Sequence, residues 1–511
     1  MLSTTQKKKR GISIIAAIAT GLLTALSFPS WHVFPLVWIA LIPLLTIAFR
    51  QPSPKQTFFY FFVSGAVFYL ILLQWLLCNV YWAGGWAVWG YVALCALMAA
   101  YWGCCGATWH WLCLANSPSL STLSLAVLWT TMEFLQGKLF TGFGWGALGY
   151  VHAGDIYVLQ LASIGGTGLL SFLTVVVNNL LARALCESSL RLPRILFALG
   201  IVAVAHLVGW SLLDEADYRS NPFLVGLVQS NFPQEVKWDP EYGVEMVDKT
   251  IEVTREMLDT TGVDLIVWPE ALIMTPLETP GVMKNLAALT REAQAPLFTG
   301  ISRFVPESNG WANSSCLITE QGNIAGYYDK IHLAPFGEYV PLGKYFPFIT
   351  QIVPAIGEMV PGESPAVFDV GTRRIGPLIC FEVLFPEMAE RLRRNKADCL
   401  VVITNLAWFG VSNAIPQERE ISRLRAVETR LPLIHCANTG VSGVFDPYGR
   451  FTNIGETHIR TFDAVPVAAP THQPLPVSPS LFSKICAIAS AVFVILKLII
   501  RIKSRPDPQN N

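Results

Sequence analysis

"PLICFEVLFPE", residues 377–387, is an apolar run that ends in a cysteine and is followed by Pro386 and an acidic residue, the usual opening of a helix. A short apolar run bounded in this way reads as a strand buried on both faces of an α/β sheet. Similar runs recur as "FLVGLVQS" (223–230), "DLIVWPE" (264–270), "PLFTGIS" (296–302), "DCLVVITN" (398–405) and "LPLIHCAN" (431–438). Helical patterns fall between several of them, near 241–259, 281–294, 386–395 and 416–430. Turn residues at Gln321-Gly322-Asn323 and at Asp446-Pro447-Tyr448-Gly449 mark hairpins. The expectation is a mixed sheet with helices outside, in one domain spanning 214–480.

The rest of the chain has a different character. Of 511 residues, 52% are hydrophobic and 14% charged, and mean hydropathy is +0.45. Soluble domains carry about 25% charged residues, so much of this chain is expected to meet lipid. Zero net charge argues against a nucleic-acid partner. The eleven cysteines form no C-x-x-C pair, so neither a disulfide framework nor a zinc site is read from them. Apolar runs near 11–27, 32–48, 57–77, 87–114, 120–136, 157–182 and 194–213 predict seven membrane crossings in an N-terminal domain, 1–213. An eighth, 482–502, falls in a C-terminal segment, 481–511. The 120–136 run contains Glu133.

With the N-terminus in the cytoplasm, Lys7–Arg10, Arg50, Lys55, Arg183, Arg191, Arg194, Arg501, Lys503 and Arg505 all fall on the inner side. Among short outer loops only Lys138 is basic. This asymmetry predicts both termini in the cytoplasm and 214–480 on the outer face.

Reactive side chains of α/β sheets collect where strands end. Three such positions carry complementary chemistry: Glu270 in "DLIVWPEA", Lys330 in "YYDKIHLAPFGEYVP" and Cys380 in "RIGPLICFE". A thiol near its ordinary pKa is mostly protonated at neutral pH, so it needs a base or a cation to become a nucleophile. Glu270 supplies the base and Lys330 the cation; attack on an ester or amide builds an oxyanion that Lys330 and the amide after Cys380 would stabilise. The helix near Pro386 adds the favourable end of its dipole. Taken singly, each residue has an ordinary reading: a packing thiol, a turn carboxylate, a surface ammonium. Cys316, Cys399 and Cys436 lie in similar runs without partner motifs. The three together are far less readily explained that way.

Glu, Lys and Cys in this order, within "VWPEA", "DKIHLAPFGEYVP" and "ICFE", resemble the nitrilase (carbon–nitrogen hydrolase) superfamily. With seven apolar runs before the domain and one after it, the chain is similar to the membrane-embedded acyltransferase branch of that superfamily. The resemblance implies an α-β-β-α sandwich for 214–480, with Glu270 as proton acceptor, Lys330 as stabiliser and Cys380 as nucleophile. It also implies supporting roles for Glu338, Phe381 and Glu382, and substrate contacts for Trp238 of "VKWD" and for Asn405 and Trp408 of "NLAWFG". "TGFGWGALGY" (141–150) resembles an outer loop between membrane helices, and "KYFPFITQIVPAIGEMVP" (344–361) a lid against lipid.

The implied reaction moves an acyl chain from a membrane phospholipid, through a thioester on Cys380, to the α-amino group of the N-terminal S-diacylglyceryl-cysteine of a lipoprotein. It takes place on the periplasmic side of a bacterial inner membrane, with no cofactor and no metal. Three positions depart from the family pattern: Phe381 where tyrosine is frequent, Leu406 where aspartate is usual, and Glu418 where histidine is common. A membrane-tethered amidase, and a transporter or receptor with a ligand-binding outer domain, are the rival readings.

Overall fold

The structure, a computed structural model, describes residues 4–503 apart from 32, 52, 113–117, 221, 342, 344–357 and 472–477. The chain forms two compact units, one within Met1–Gln74, Gly90–Ser211 and Pro476–Asn511, the other from Trp75–Trp89 and Leu212–Leu475.

The first unit is helical. Among the described residues six helices are long and apolar enough to cross a membrane: Arg10–Ser27, Pro54–Leu72, Trp86–Leu112, Ala162–Cys186, Ser188–Leu212 and Leu481–Ile502. Their outer faces stay apolar. Leu192, Leu196, Phe197 and Leu207 on one helix, and Ile488, Ile495 and Ile502 on another, are more than half exposed, as befits faces turned to lipid.

Two of the expected crossings differ. The run 32–48 is not one helix: a 3-10 turn, Phe34–Trp38, precedes a seven-residue α-helix, Ile42–Ala48. Pro35 and Pro43 each start a new piece, because proline donates no backbone hydrogen bond and clashes with the preceding turn. Helix Pro118–Gln136 forms but is more polar than the six. Its polar groups are used inside the unit: Thr122 donates to Asn179 at 2.8 Å and Thr131 pairs with Ser490 at 2.8 Å. Glu133 accepts from the Trp129 indole and from the Leu148 amide, both at 2.9 Å, so this carboxylate holds the Gly-rich 141–150 loop.

The second unit contains twelve strands among the described residues: β1 (Leu224–Gln229), β2 (Leu265–Val267), β3 (Leu297–Val305), β4 (Gly310–Ile318), β5 (Ile324–Asp329), β6 (Phe368–Val370), β7 (Arg373–Ile379), β8 (Cys399–Thr404), β9 (Leu433–Ala437), β10 (Gly443–Phe445), β11 (Phe451–Asn453) and β12 (Thr461–Pro466). They form two six-stranded sheets, ordered β12-β1-β2-β3-β4-β5 and β6-β7-β8-β9-β10-β11. Each sheet has three parallel strands in the middle (β1, β2, β3 and β7, β8, β9) and antiparallel strands on both sides.

Val225, Leu227, Val267 and Phe298 of the first sheet pack against Ile375, Ile379, Val401, Ile403 and Ile434 of the second, closing one apolar core between the sheets. The outer face of the first sheet packs Val228, Ile266 and Leu297 against helices Gly243–Leu258 and Val282–Ala293. Helices Pro386–Arg394 and Ala414–Thr429 cover the second. The layers are therefore helix, sheet, sheet, helix. Burial on both faces explains the unbroken apolar strand runs, and it accounts for Cys316, Cys399 and Cys436, all fully buried packing thiols.

One close approach fixes the end of β2. Leu272 and Ile273 both donate to the Gly300 carbonyl at 3.1 Å. A Cβ on Gly300 would stand 2.4 Å from the Ala271 nitrogen and 2.7 Å from the Glu270 Cα. Backbone cannot yield there as a side chain would. Gly300→Ala is expected to destabilise the unit by about 1–3 kcal/mol through overpacking, read as a lowered thermal midpoint of the purified protein; an unchanged midpoint would contradict the close approach.

Candidate active site

Parallel strands deliver the reactive groups at their C-terminal ends. Glu270 follows β2, Cys380 follows β7, and Lys330 follows the antiparallel strand β5. All three expected residues are brought into one electrostatically coupled group. The Lys330 ammonium is buried, 2.9 Å from Glu338 Oε1 and 3.6 Å from Glu270 Oε1. Burial alone would push Lys330 down, but Glu338, Glu270 and Cys380 outweigh it and hold the lysine above its ordinary pKa. Glu338 Oε2 accepts from the Ala334 amide at 2.6 Å, which ties the "HLAPFGEYVP" loop to the lysine.

Asn313 on β4, which no motif marks, completes this arrangement. Its Nδ2 donates to Glu270 Oε1 at 2.8 Å and to Glu338 Oε1 at 2.6 Å. Glu270 Oε1 is thereby held, while its Oε2 has no hydrogen-bond partner among the described residues. A second buried cation was also unmarked. Lys237 Nζ donates to the Glu270 carbonyl at 2.8 Å, and burial lowers Lys237 to about 8 against the opposing pull of Glu270 and Cys380. The only sequence signal for either residue was that Lys237 is the lysine of "VKWD".

Cys380 itself has φ +50°, in the left-handed region, where a residue with a Cβ is strained by about 1–2 kcal/mol. The chain leaves β7 by a sharp elbow into a 3-10 turn, Cys380–Leu384, and only then enters helix Pro386–Arg394. Glu382, fully buried, holds this elbow. Its Oε2 accepts from the Ile379 amide at 2.8 Å, and its Oε1 accepts from Tyr328 Oη at 2.7 Å and the amides of Ile331 and His332 at 2.8 and 3.2 Å. One carboxylate thus stitches the cysteine elbow to the lysine loop, although burial still raises Glu382 above its ordinary range. Phe381, where tyrosine is frequent, sets its ring edge-on to Phe385 at 5.4 Å, and Phe385 stacks on His332 at 4.1 Å.

The Cys380 thiol is pushed well above its usual value by burial and then by Glu270 and Glu418; Lys330 and a hydrogen bond with Thr404 act the other way. Ile379 and Ile403 are register partners, so Cys380 and Thr404 leave neighbouring strands side by side. Thr404 Oγ1 lies 3.0 and 3.2 Å from the two oxygens of Glu418, whose carboxyl burial raises to about 8. The departure at 418 therefore places a carboxyl that is mostly neutral at pH 7 behind Thr404, on the side of Cys380. Leu406, the other departure, is buried with Ile415 and Val441 in a small apolar cluster.

The expected substrate-contact residues divide. Asn405 is buried, donating to Gln234 at 2.8 Å and accepting from Asn438 at 3.0 Å, so it is a brace between loops. Trp238 and Trp408 pair at 5.8 Å, and Trp82, from the 75–89 segment, meets Trp408 at 5.4 Å. Beside them opens a cleft of about 410 Å³ bordered by Tyr81, Trp82, Trp408, Gln234, Thr439 and His458. The triad does not border this cleft, but the same elements serve both. Helix Gln234–Lys237 carries Gln234 to the cleft and Lys237 to Glu270; the end of β8 carries Thr404 to Cys380, and the turn after it carries Trp408 to the cleft. Of the expected lid, residues 344–357 lie outside the described residues. Among the described residues no group of three or more His, Cys, Asp or Glu is placed to hold a metal ion.

A cysteine at a strained strand end, a carboxylate and a buried lysine on a two-sheet α/β domain fit the carbon–nitrogen hydrolase class, and the Carbon-nitrogen hydrolase family model matches residues 224–458. The model of the Apolipoprotein N-acyltransferase N-terminal domain matches residues 20–180. An apolipoprotein N-acyltransferase of Geobacter metallireducens is 35% identical over 450 residues, covering 85% of each chain. One of Shewanella oneidensis is 31% identical over 477 residues, covering 88% of each. Among solved structures, a Saccharomyces cerevisiae member of the nitrilase superfamily is 19% identical, covering 53% of this chain and 97% of its own, with a TM-score of 0.38. The chain belongs to the apolipoprotein N-acyltransferase family, and its chemistry is acyl transfer.

The neutral Glu418 carboxyl has a measurable consequence. Ionising it adds a negative charge near Glu270 and Cys380 and opposes the thiolate, and the fraction of wild type with a neutral Glu418 falls to about a tenth by pH 9, one unit above a pKa of about 8. Glu418→Gln has nothing to ionise. The ratio of variant to wild-type rates for acylation of Cys380 is expected to climb as pH passes about 8; a flat ratio would show that Glu418 does not act on the sulfur.

Proposed function

We propose that this protein N-acylates the amino terminus of lipoproteins bearing S-diacylglyceryl-cysteine, with a membrane phospholipid as donor and Cys380 as the acyl carrier. The observation that supports it most is the placement of a buried Lys330 between Glu270 and Glu338, with one Glu270 oxygen left unpaired beside a strained cysteine elbow. Cys380 attacks the ester carbonyl while Glu270 takes the thiol proton. Lys330, with the Phe381 amide, stabilises the oxyanion. The ester C–O bond then breaks, Glu270 returns the proton to the departing glycerol oxygen, and a lysophospholipid leaves a thioester on Cys380. In the second half the lipoprotein α-amine attacks the thioester, Glu270 takes its proton, and as the C–S bond breaks Glu270 passes that proton to the departing sulfur, regenerating the thiol and releasing an amide.

The membrane helices suit lipid substrates. Drawing an acyl chain into water costs about 0.8 kcal/mol per methylene, so roughly 12 kcal/mol for a chain of about fifteen. A site at the bilayer surface avoids that. For the α/β unit to face the periplasm with both termini in the cytoplasm, the broken stretch around 34–48 would cross as two pieces. The 22 residues 28–49 reach about 33 Å even if wholly helical, and Arg50 and Lys55 would then stand on the inner side opposite Lys138.

Incubating the purified protein with phospholipid is expected to add one fatty-acyl mass to the peptide containing Cys380, removable by hydroxylamine and absent in Cys380→Ala. Adding a diacylated lipopeptide should discharge it onto the peptide amine. Release of free fatty acid alone would favour a hydrolase, and full biological activity of Cys380→Ala would favour a non-enzymatic role.

A further inference from the structure

The aromatic cleft, joined to the triad through helix Gln234–Lys237 and the end of β8, contains polar groups that the proposed chemistry does not use. Gln234 and Thr439 are 3% and 4% exposed, yet Gln234 Nε2 and Thr439 Oγ1 have no hydrogen-bond partner among the described residues. His458 Nε2, on the same rim, is buried and equally unpartnered, as is the indole N–H of Trp238 next to Trp408. Buried donors are normally paired, so several of them around one cleft point to a ligand that supplies acceptors.

The frame around these groups is tied down. Asn405 holds Gln234 Oε1 at 2.8 Å, the His458 amide donates to the Thr439 carbonyl at 2.9 Å, and the Asn231 amide donates to the Asn438 carbonyl at 2.8 Å. The donors are thus preorganised rather than loose.

The lining sets the chemistry of the ligand. Among the described residues no lysine or arginine borders the cleft, whereas the carboxylate of Glu235 does. A phosphodiester head group would find no cation there. Neutral donors between aromatic walls match instead the carbonyl groups of an extended polypeptide, whose side chains and Cα atoms lie against Tyr81, Trp82 and Trp408. A volume of about 410 Å³ is within the range of about 300–1,000 Å³ common for ligand sites, enough for a few residues.

We propose that this cleft binds the main chain of the acceptor lipoprotein just downstream of its lipidated cysteine, with Gln234, Thr439 and His458 as donors to peptide carbonyls. The inference rests on the acyl-transfer reading above and adds a sequence-independent peptide subsite to it. Recognition through main-chain carbonyls lets one enzyme accept many lipoproteins while rewarding acceptors that continue past the first residues.

The test compares S-dipalmitoylglyceryl-cysteine peptides of two and six residues as acceptors, using full-length protein already charged with acyl chain. Two or three hydrogen bonds favour the longer peptide in kcat/KM by about tenfold or more. Gln234→Glu keeps the acceptor oxygen for Asn405 but replaces the unpartnered donor with a repelling oxygen. Thr439→Val removes a hydroxyl that has no protein partner, so it keeps the test available should the first variant fold poorly. Both are expected to bring the long-to-short ratio toward one, mainly through KM. The inference is overturned if wild type uses both peptides alike, if the ratio survives both substitutions, or if thioester formation from phospholipid falls as far as transfer to the long peptide. Failure of wild type to form the thioester at all would instead overturn the proposed function, and this subsite with it.

Discussion

A single buried ammonium organises the reactive end of the α/β unit. Taking Lys330 out of water has an effective penalty of several kcal/mol, and only close opposite charge offsets it. Two carboxylates meet it, Glu270 at 3.6 Å and Glu338 at 2.9 Å, and Asn313 bridges both. Because these groups come from the ends of β2 and β5, from β4 and from the loop after β5, satisfying the lysine locks four segments together. Lys237, on the Glu270 carbonyl, adds a second buried lysine to the group. Glu418 stays outside that balance at neutral pH because burial keeps it protonated.

The same economy recurs at Glu382. Four donors from two separate segments converge on one carboxylate, and the segments so joined carry the nucleophile and the lysine. The positive φ of Cys380 is maintained by this stitching and by the largely buried β7 behind it, and Cys380 as a residue is only partly buried. Strain held by a rigid scaffold is common where a nucleophile must be presented. Helix Gln234–Lys237 and the turn after β8 then extend the scaffold to the aromatic cleft, so positioning of chemistry and shaping of the cleft are done by the same short elements.

The helical unit follows a different physical rule. Thr122–Asn179 and Thr131–Ser490 join its helices through hydrogen bonds, and Glu133 holds a loop. Its outward residues are apolar almost without interruption. The segment Trp75–Trp89, which hydropathy alone divides between two membrane runs, belongs by its contacts to the α/β unit, where Trp75 meets Phe409 at 4.6 Å and Trp82 meets Trp408.

Sequence alone determined the class of both units and singled out three residues that the fold brings together. Buried strands write themselves as unbroken apolar runs, lipid-facing helices as longer ones, and Glu270, Lys330 and Cys380 each stand at the end of such a run within a recognisable motif. The pairing of two sheets came from resemblance, since an apolar run does not say which sheet it joins. Asn313 and Thr404 were invisible because a lone polar residue in a strand has the same local pattern whether it braces a loop or a reactive group, and Lys237 because a lysine on a short helix reads as an ordinary surface charge. Asn405 showed the converse, a motif residue whose amide proves to be a brace. The break at 34–48 was legible in Pro35 and Pro43, yet apolar content outweighed it. What only the tertiary structure decided is which charges share a low-dielectric interior, because electrostatic coupling depends on distance through the fold, and residues 43 to 148 positions apart in the chain lie side by side there.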